Sequence, residues 1–193
     1  MYEEKNGRSV WRLGLILLSL AVLYLATSMQ YGEPIRSLPI DWELRDGDIL
    51  LLGSSTIRGR VLKFLDGGSN WGHCGIVVAP DSVVHADPKR GVIRQSIDEY
   101  LEENDVDCIC VLRSQKGDGR IAASFALGCA TQGISFDNSF DYKNGSGIYC
   151  TELILLSWEA AGVQLLPDAT SGDSIVPSRL LTGVGLDCRW ILP

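Results

Sequence analysis

The chain has 193 residues, 17 Lys+Arg against 24 Asp+Glu for a net charge of −7, and 46% hydrophobic residues. That length and apolar content exclude disorder and suffice for one cored domain. The acidic balance, with no basic run beyond Pro88-Lys89-Arg90, excludes a nucleic-acid binder, whose footprint would be a Lys/Arg-rich face.

No charge occurs from Leu13 through Gly32. As a helix rising ~1.5 Å per residue this stretch would cover ~30 Å, about one bilayer core. It is apolar on every face, and a buried core helix is the bland alternative to a membrane segment. Arg8 and Arg12 precede it and Glu33, Arg36 and Asp41 follow, so the positive-inside rule puts residues 1–12 in the cytoplasm and the remainder outside. The segment 13–32 reads as a retained signal anchor; the competing reading is a cleaved signal peptide with its small-residue site at Ala26-Thr27-Ser28. Pro34 and Pro39 make 33–44 a linker, and the globular domain runs over 45–193.

Within it, Gly47-Asp48-Ile49-Leu50-Leu51-Leu52 predicts a short buried strand, and Thr56–Leu65 has helical spacing closed by Gly67-Gly68. Three strands follow, at 74–79, 82–86 and 91–95. Ser96-Ile97-Asp98-Glu99 is a capping box that opens a helix. Residues 106–113 predict a further strand, 120–132 a helix rich in small residues, and 151–161 a second long apolar helix. The fold class expected is α+β, strands flanked by helices, in place of a parallel βαβ array.

Chemistry enters through scarcity, because the chain has only two histidines, His73 and His85. They fall on consecutive strands with a turn at Pro80-Asp81. A three-residue loop would pair Val78 with Ser82 and set His85 across from Gly75, diagonal to His73, where one imidazole can orient another. Cys150 is the third candidate. The loop Asn144-Gly145-Ser146-Gly147 leads into the apolar helix that it starts, and the unpaired N–H groups and positive dipole end at a helix N-terminus favour a thiolate. The same N–H groups can hold the oxyanion of a tetrahedral intermediate. A side chain elsewhere, Asp87 among them, could orient His73 in place of His85.

Several segments together resemble the circularly permuted branch of the NlpC-type papain-like cysteine hydrolases, the YiiX/YaeF-like permuted amidases. Asn70-Trp71-Gly72-His73-Cys74-Gly75-Ile76-Val77-Val78 is similar to that family's S-H-[VC]-G-I strand, and Gly47-Asp48-Ile49-Leu50 to its opening G-D strand. Tyr149-Cys150-Thr151-Glu152-Leu153 resembles its Y-C-[ST]-E-L motif. Phe136-Asp137 and Phe140 resemble the loop before the cysteine, and Val176-Pro177-Ser178-Arg179 the segment after the helix. The resemblance implies a permuted papain-like fold, an antiparallel sheet or half-barrel packed with helices. It implies Cys150 as nucleophile, His73 as general base and acid, and His85, by position, as the orienting group. Many such members carry Glu at that third place, whereas lecithin retinol acyltransferase-like relatives carry a second His. The substrate expected is therefore a peptide or other small amide, with a cell-wall peptide favoured and a lipid acyl group as the alternative; an inactive anchored binding module is the reading from another class. Asp48 and Glu152 match motif positions but read as structural.

No C-x-x-C or H-x-x-x-H spacing points to a metal, and no cofactor is expected. Reserving Cys150 leaves Cys74, Cys108, Cys110, Cys129 and Cys188, an odd number. Cys74, Cys108, Cys110 and Cys129 read as core packing, and nothing in the sequence pairs Cys188.

Overall fold

The computed structural model describes residues 34–54 and 69–192. The expected membrane segment 13–32 and the expected helix 56–65 lie outside the described residues. Among the described residues no helix is long and apolar enough to cross a membrane.

Six strands form one antiparallel sheet: β1 (Ile49–Ser54), β2 (His73–Val78), β3 (Ser82–Asp87), β4 (Gly91–Ser96), β5 (Val106–Ser114) and β6 (Leu186–Leu192), in the spatial order β4-β3-β2-β1-β5-β6. Among the described residues three α-helices accompany it, α1 (Ile97–Asn104), α2 (Gly119–Thr131) and α3 (Cys150–Ala160), together with a 3-10 turn at Pro177–Thr182. The architecture is the expected α+β, an open antiparallel sheet with helices, which fits a papain-like fold.

β1 explains why its sequence is continuously apolar instead of alternating. It lies inside the sheet with both faces covered, so Ile49 and Leu51 enter one core while Leu50 and Leu52 enter the other. Each such fully buried Leu or Ile contributes about 1.5–3 kcal/mol. The first core receives α2 and α3, through Ala122, Ala126, Leu153 and Ile154. The second receives α1, through Ile97, Tyr100 and Leu101. The stretch 34–44, read as a linker, has no regular element, yet Ile35, Leu38, Trp42 and Leu44 pack onto that second core. Trp42 stacks on Trp190 with centroids 5.5 Å apart, and Ile35 N–H donates to the Val106 carbonyl at 2.7 Å.

Local signals act as expected at two boundaries. Ser96 accepts from the Glu99 N–H while the Glu99 carboxylate takes the Ser96 N–H, so the capping box starts α1 directly after β4. Asp48, buried at the start of β1, accepts the Arg45 N–H at 2.8 Å and both Nε and Nη2 of Arg113 at 2.7 Å. Gly47 beside it has φ +85°, and a Cβ there would meet the Gly119 Cα at 2.5 Å. The Gly-Asp pair thus lets the start of α2 abut the sheet and ties β1 to β5. β6, which the sequence reading leaves without an element, pairs along β5 and forms one edge of the sheet.

Candidate active site

The β2–β3 hairpin has the three-residue loop Ala79-Pro80-Asp81, with Val78 opposite Ser82, Val77 opposite Val83 and Ile76 opposite Val84. Continuing that register sets His85 across from Gly75. His73 Nε2 and His85 Nδ1 are 3.0 Å apart, with the rings edge to face. Glycine at 75 is required between them: a Cβ there would meet Val83 Cγ2 at 2.6 Å and the Tyr100 hydroxyl at 3.2 Å.

Behind the two rings stands a residue absent from the sequence reading. His85 Nε2 lies 2.6 Å from Gln95 Oε1, on β4. Beyond Gln95 stands the Glu103 carboxylate, which the Arg90 guanidinium pairs and whose pKa is lowered by Arg90 first and then by the Gln95 amide. A carboxylate only accepts, so the amide nitrogen faces Glu103 and the amide oxygen faces His85. That orientation fixes both imidazoles. Gln95 accepts the His85 Nε2–H, leaving His85 Nδ1 as an acceptor. His85 Nδ1 accepts the His73 Nε2–H, leaving His73 Nδ1 as the nitrogen free for a partner. Burial, followed by the charge of His73, lowers the His85 pKa to about 3, so it stays neutral and keeps its acceptor. Tyr100 closes this side, with its ring 4.6 Å from His85 and 5.6 Å from His73 and its buried hydroxyl without a partner.

Cys150 is the first residue of α3, after Tyr149 in an extended conformation that supplies no side-chain cap. Glu152, at the third helical position, takes the Lys143 N–H at 2.7 Å. No capping side chain covers the first helical N–H groups. The preceding loop is knotted around buried Asp137, which accepts from the Ser139 N–H and hydroxyl, the Ser146 hydroxyl and the Asn144 amide. Burial opposes the Asp137 charge, but these donors outweigh it and its pKa is lowered.

The Cys150 thiol is held well below the ordinary thiol range. Hydrogen bonding from Cys74 is the largest cause; burial opposes it, and hydrogen bonding and charge attraction from His73 add to it. Cys74 moves the opposite way, raised by burial and by Cys150. Of the two thiols, Cys150 is therefore the more readily ionised. Both sulfurs flank the Thr151 hydroxyl, at 3.9 and 4.0 Å. Cys74 was expected as core packing; it is buried in that core and also touches the candidate nucleophile.

Cys150 and His73 open onto one cavity of about 340 Å³. Its other walls are largely apolar: Phe136, Phe140, Tyr149, Ile175, Val176 and Pro177, with Ser174 and Thr151. Phe136, Phe140 and Tyr149 form a series of edge-on rings 5.6 Å apart, and the Tyr149 hydroxyl accepts the Ile175 N–H at 3.2 Å, fastening the far wall to the start of α3. The structure thus brings His73, His85 and Cys150 together, with Asp87 on the surface beside Arg90.

The model of the permuted papain-like amidase enzymes, the YaeF/YiiX or C92 family, matches residues 43–177. Among solved structures, that of the metalloprotein yiiX from Escherichia coli O157:H7 superposes with a TM-score of 0.63 at 16% identity, over 76% of this chain and 97% of that one. Among curated proteins none matches. Although that relative is described as a metalloprotein, no group of three or more His, Cys, Asp or Glu converges among the described residues of this chain. His73 and His85 spend ring nitrogens on each other and on Gln95, so these residues do not fit a metal ion.

Proposed function

The chain belongs to the YaeF/YiiX family of permuted papain-like amidases, a family of cysteine hydrolases, and from that premise we propose that it is a membrane-anchored, extracytoplasmic amidase working through Cys150, His73 and His85. The observation that carries this is the hydrogen-bonded series from Gln95 through His85 to His73, ending at a thiol lowered at a helix N-terminus.

The Cys150 thiolate attacks the carbonyl carbon, and the oxyanion that forms is held by N–H groups at the start of α3. His73 delivers its Nδ1 proton to the leaving amine, which departs and leaves a thioester on Cys150. Water then loses a proton to His73 as it attacks the thioester, and collapse releases the acid and the thiolate. His85 takes no proton in this cycle: its pKa of about 3 keeps it neutral, and its work is to hold His73 with Nδ1 toward the sulfur.

Cell-wall peptide is the substrate expected from an outward-facing domain. A second reading is favoured by the cavity, whose walls apart from Cys150 and His73 carry no charged side chain but three aromatic rings and Ile175, Val176 and Pro177. Such walls suit an apolar acyl group, as in an N-acyl amide or lipid ester, better than a peptide rich in carboxylates. Anchoring by residues 13–32 would place the domain where such lipids are. Incubating the full chain and its Cys150→Ala variant with muropeptides, with N-acyl amides and with phospholipid vesicles tests both. Turnover that needs Cys150 supports the hydrolase and identifies the substrate; turnover of none of the three favours an anchored binding module.

A further inference from the structure

None of the six cysteines is in a disulfide in this structure, yet two that stand apart from Cys150 and Cys74 are placed for more than packing. Cys110 on β5 and Cys188 on β6 have their sulfurs 3.2 Å apart. The sheet register explains this meeting. Cys110 stands opposite Ile191 and Val111 opposite Trp190, but Leu112 stands opposite Cys188, with an irregularity between Val111 and Leu112. In a regular ladder Cys188 would point to the other face from Cys110, because a one-residue shift exchanges faces. The extra residue on β6, Arg189, turns Cys188 onto the face that Leu112 and Cys110 share. A disulfide bond is about 2.05 Å long, so the sulfurs need approach by only about 1 Å.

We propose that Cys110 and Cys188 form a disulfide that staples the edge strand β6 to β5. The closed loop spans 78 residues and contains α2, α3, Cys150 and the cavity walls from Phe136 to Pro177, while both histidines lie outside it. The bond thus ties the part of the chain carrying the nucleophile to the sheet carrying its base. It also secures a strand at the edge of the sheet, which has a neighbour on one side only. The oxidant is a small or protein disulfide. Exposed Cys188, as thiolate, attacks one of its sulfurs and expels the first thiol; buried Cys110 then loses its proton to solvent, attacks the Cys188 sulfur and expels the second. Two electrons pass to that oxidant, which leaves as two thiols. Burial and the neighbouring Cys188 sulfur raise the Cys110 thiol pKa, which fits Cys188 acting first.

The bond forms in the cell if the domain faces an oxidising compartment, which is part of the reading above, but its geometry does not depend on that reading. Full-length protein in detergent is incubated with oxidised glutathione, its remaining thiols are alkylated, and tryptic peptides are mapped without reduction. The expected product is a cross-link between peptides 95–113 and 180–189 that persists in Cys108→Ala and disappears in Cys110→Ala and Cys188→Ala. Reduction should lower the melting temperature by about 10 °C, corresponding to roughly a thousandfold in the folding equilibrium for a loop of this length. Full alkylation of both peptides after oxidation, a glutathione adduct that persists on Cys188, or bridging through Cys108 or between two chains would overturn the proposal. A cross-link in the purified chain that is absent from protein extracted from cells supports the site and counts against the outward placement.

Discussion

Gln95 is the residue at which the proposed relay is most directly tested, because it touches neither the cavity nor Cys150. Replacing it by Leu removes the acceptor of the His85 Nε2–H and leaves a buried donor unpaired, at a cost of about 1–3 kcal/mol. The side chain can escape by moving its proton to Nδ1. That nitrogen then faces the His73 Nε2–H donor to donor at 3.0 Å, and His73 must carry its own proton on Nδ1, where a neutral ring should present its lone pair to Cys150. Since about 1.4 kcal/mol is tenfold, loss of the hydrogen bond that selects the competent tautomer reduces its population about 10- to 100-fold.

Gln95→Leu should therefore alkylate at Cys150 with iodoacetamide about 10- to 100-fold more slowly near neutral pH, and turn over substrate with kcat lowered by a similar factor and KM little changed. Thiol alkylation needs no knowledge of the substrate, so it is the assay of choice, followed across pH because the tautomer change also moves the profile. Gln95→Glu restores an acceptor at the same place and should recover part of the rate. A Gln95→Leu protein that is folded and alkylates at the wild-type rate with the wild-type pH profile would refute the relay.

Three further outcomes follow from the same geometry. His85, with a pKa of about 3 in the fold against about 6.5 unfolded, binds its proton in the unfolded chain first, so its contribution to stability is full above pH 6.5 and lost as pH falls toward 3; the upper limit is about 5 kcal/mol, and His85→Gln should flatten the denaturation midpoint over that window. Cys74→Val removes the largest donor to the Cys150 sulfur and should move the alkylation profile to higher pH; an unchanged profile would mean that His73 alone lowers the thiol. Tyr100→Phe deletes a buried hydroxyl that has no partner while keeping the ring against both imidazoles, so its unfolding midpoint in urea should equal or exceed that of the wild type by up to about 1 kcal/mol; a loss of several kcal/mol would show that the hydroxyl is satisfied.

What could be read in advance follows the range of each interaction. The β2–β3 register depends on a three-residue loop and on side chains that alternate with period two, both local, and Val78 does face Ser82. The start of α1 was equally legible, since the capping box is contained in four residues. Gln95 was missed because its role depends on extending the hairpin logic by one more strand: Val83 faces Gln95 and His85 faces Ile93, which puts Gln95 diagonal to His85 on the same face. A polar residue that is buried on an otherwise apolar strand face was the available signal. β6 offered no such signal. Leu186-Asp187-Cys188-Arg189-Trp190-Ile191-Leu192 carries a bulge that breaks its alternation, and its pairing with β5 closes over a long intervening chain.

The same distinction explains why the acid–base groups are so few. In the proposed site, with two histidines in the chain, one is held neutral to orient the other, and selectivity for which nitrogen faces the sulfur is passed outward to Gln95 and, beyond it, the surface ion pair Glu103–Arg90. A carboxylate in place of His85 would hold the His73 Nε2–H without any further partner, because it only accepts. An imidazole can do so only if something fixes its tautomer. The second histidine and the inward-facing glutamine are therefore one device, and a chain with His at this position should need an acceptor at the position of Gln95, whereas Glu at position 85 should remove the need. The double variant His85→Glu with Gln95→Leu is accordingly expected to alkylate Cys150 faster than Gln95→Leu alone; equal or slower reaction would show that Gln95 does something other than orient His85.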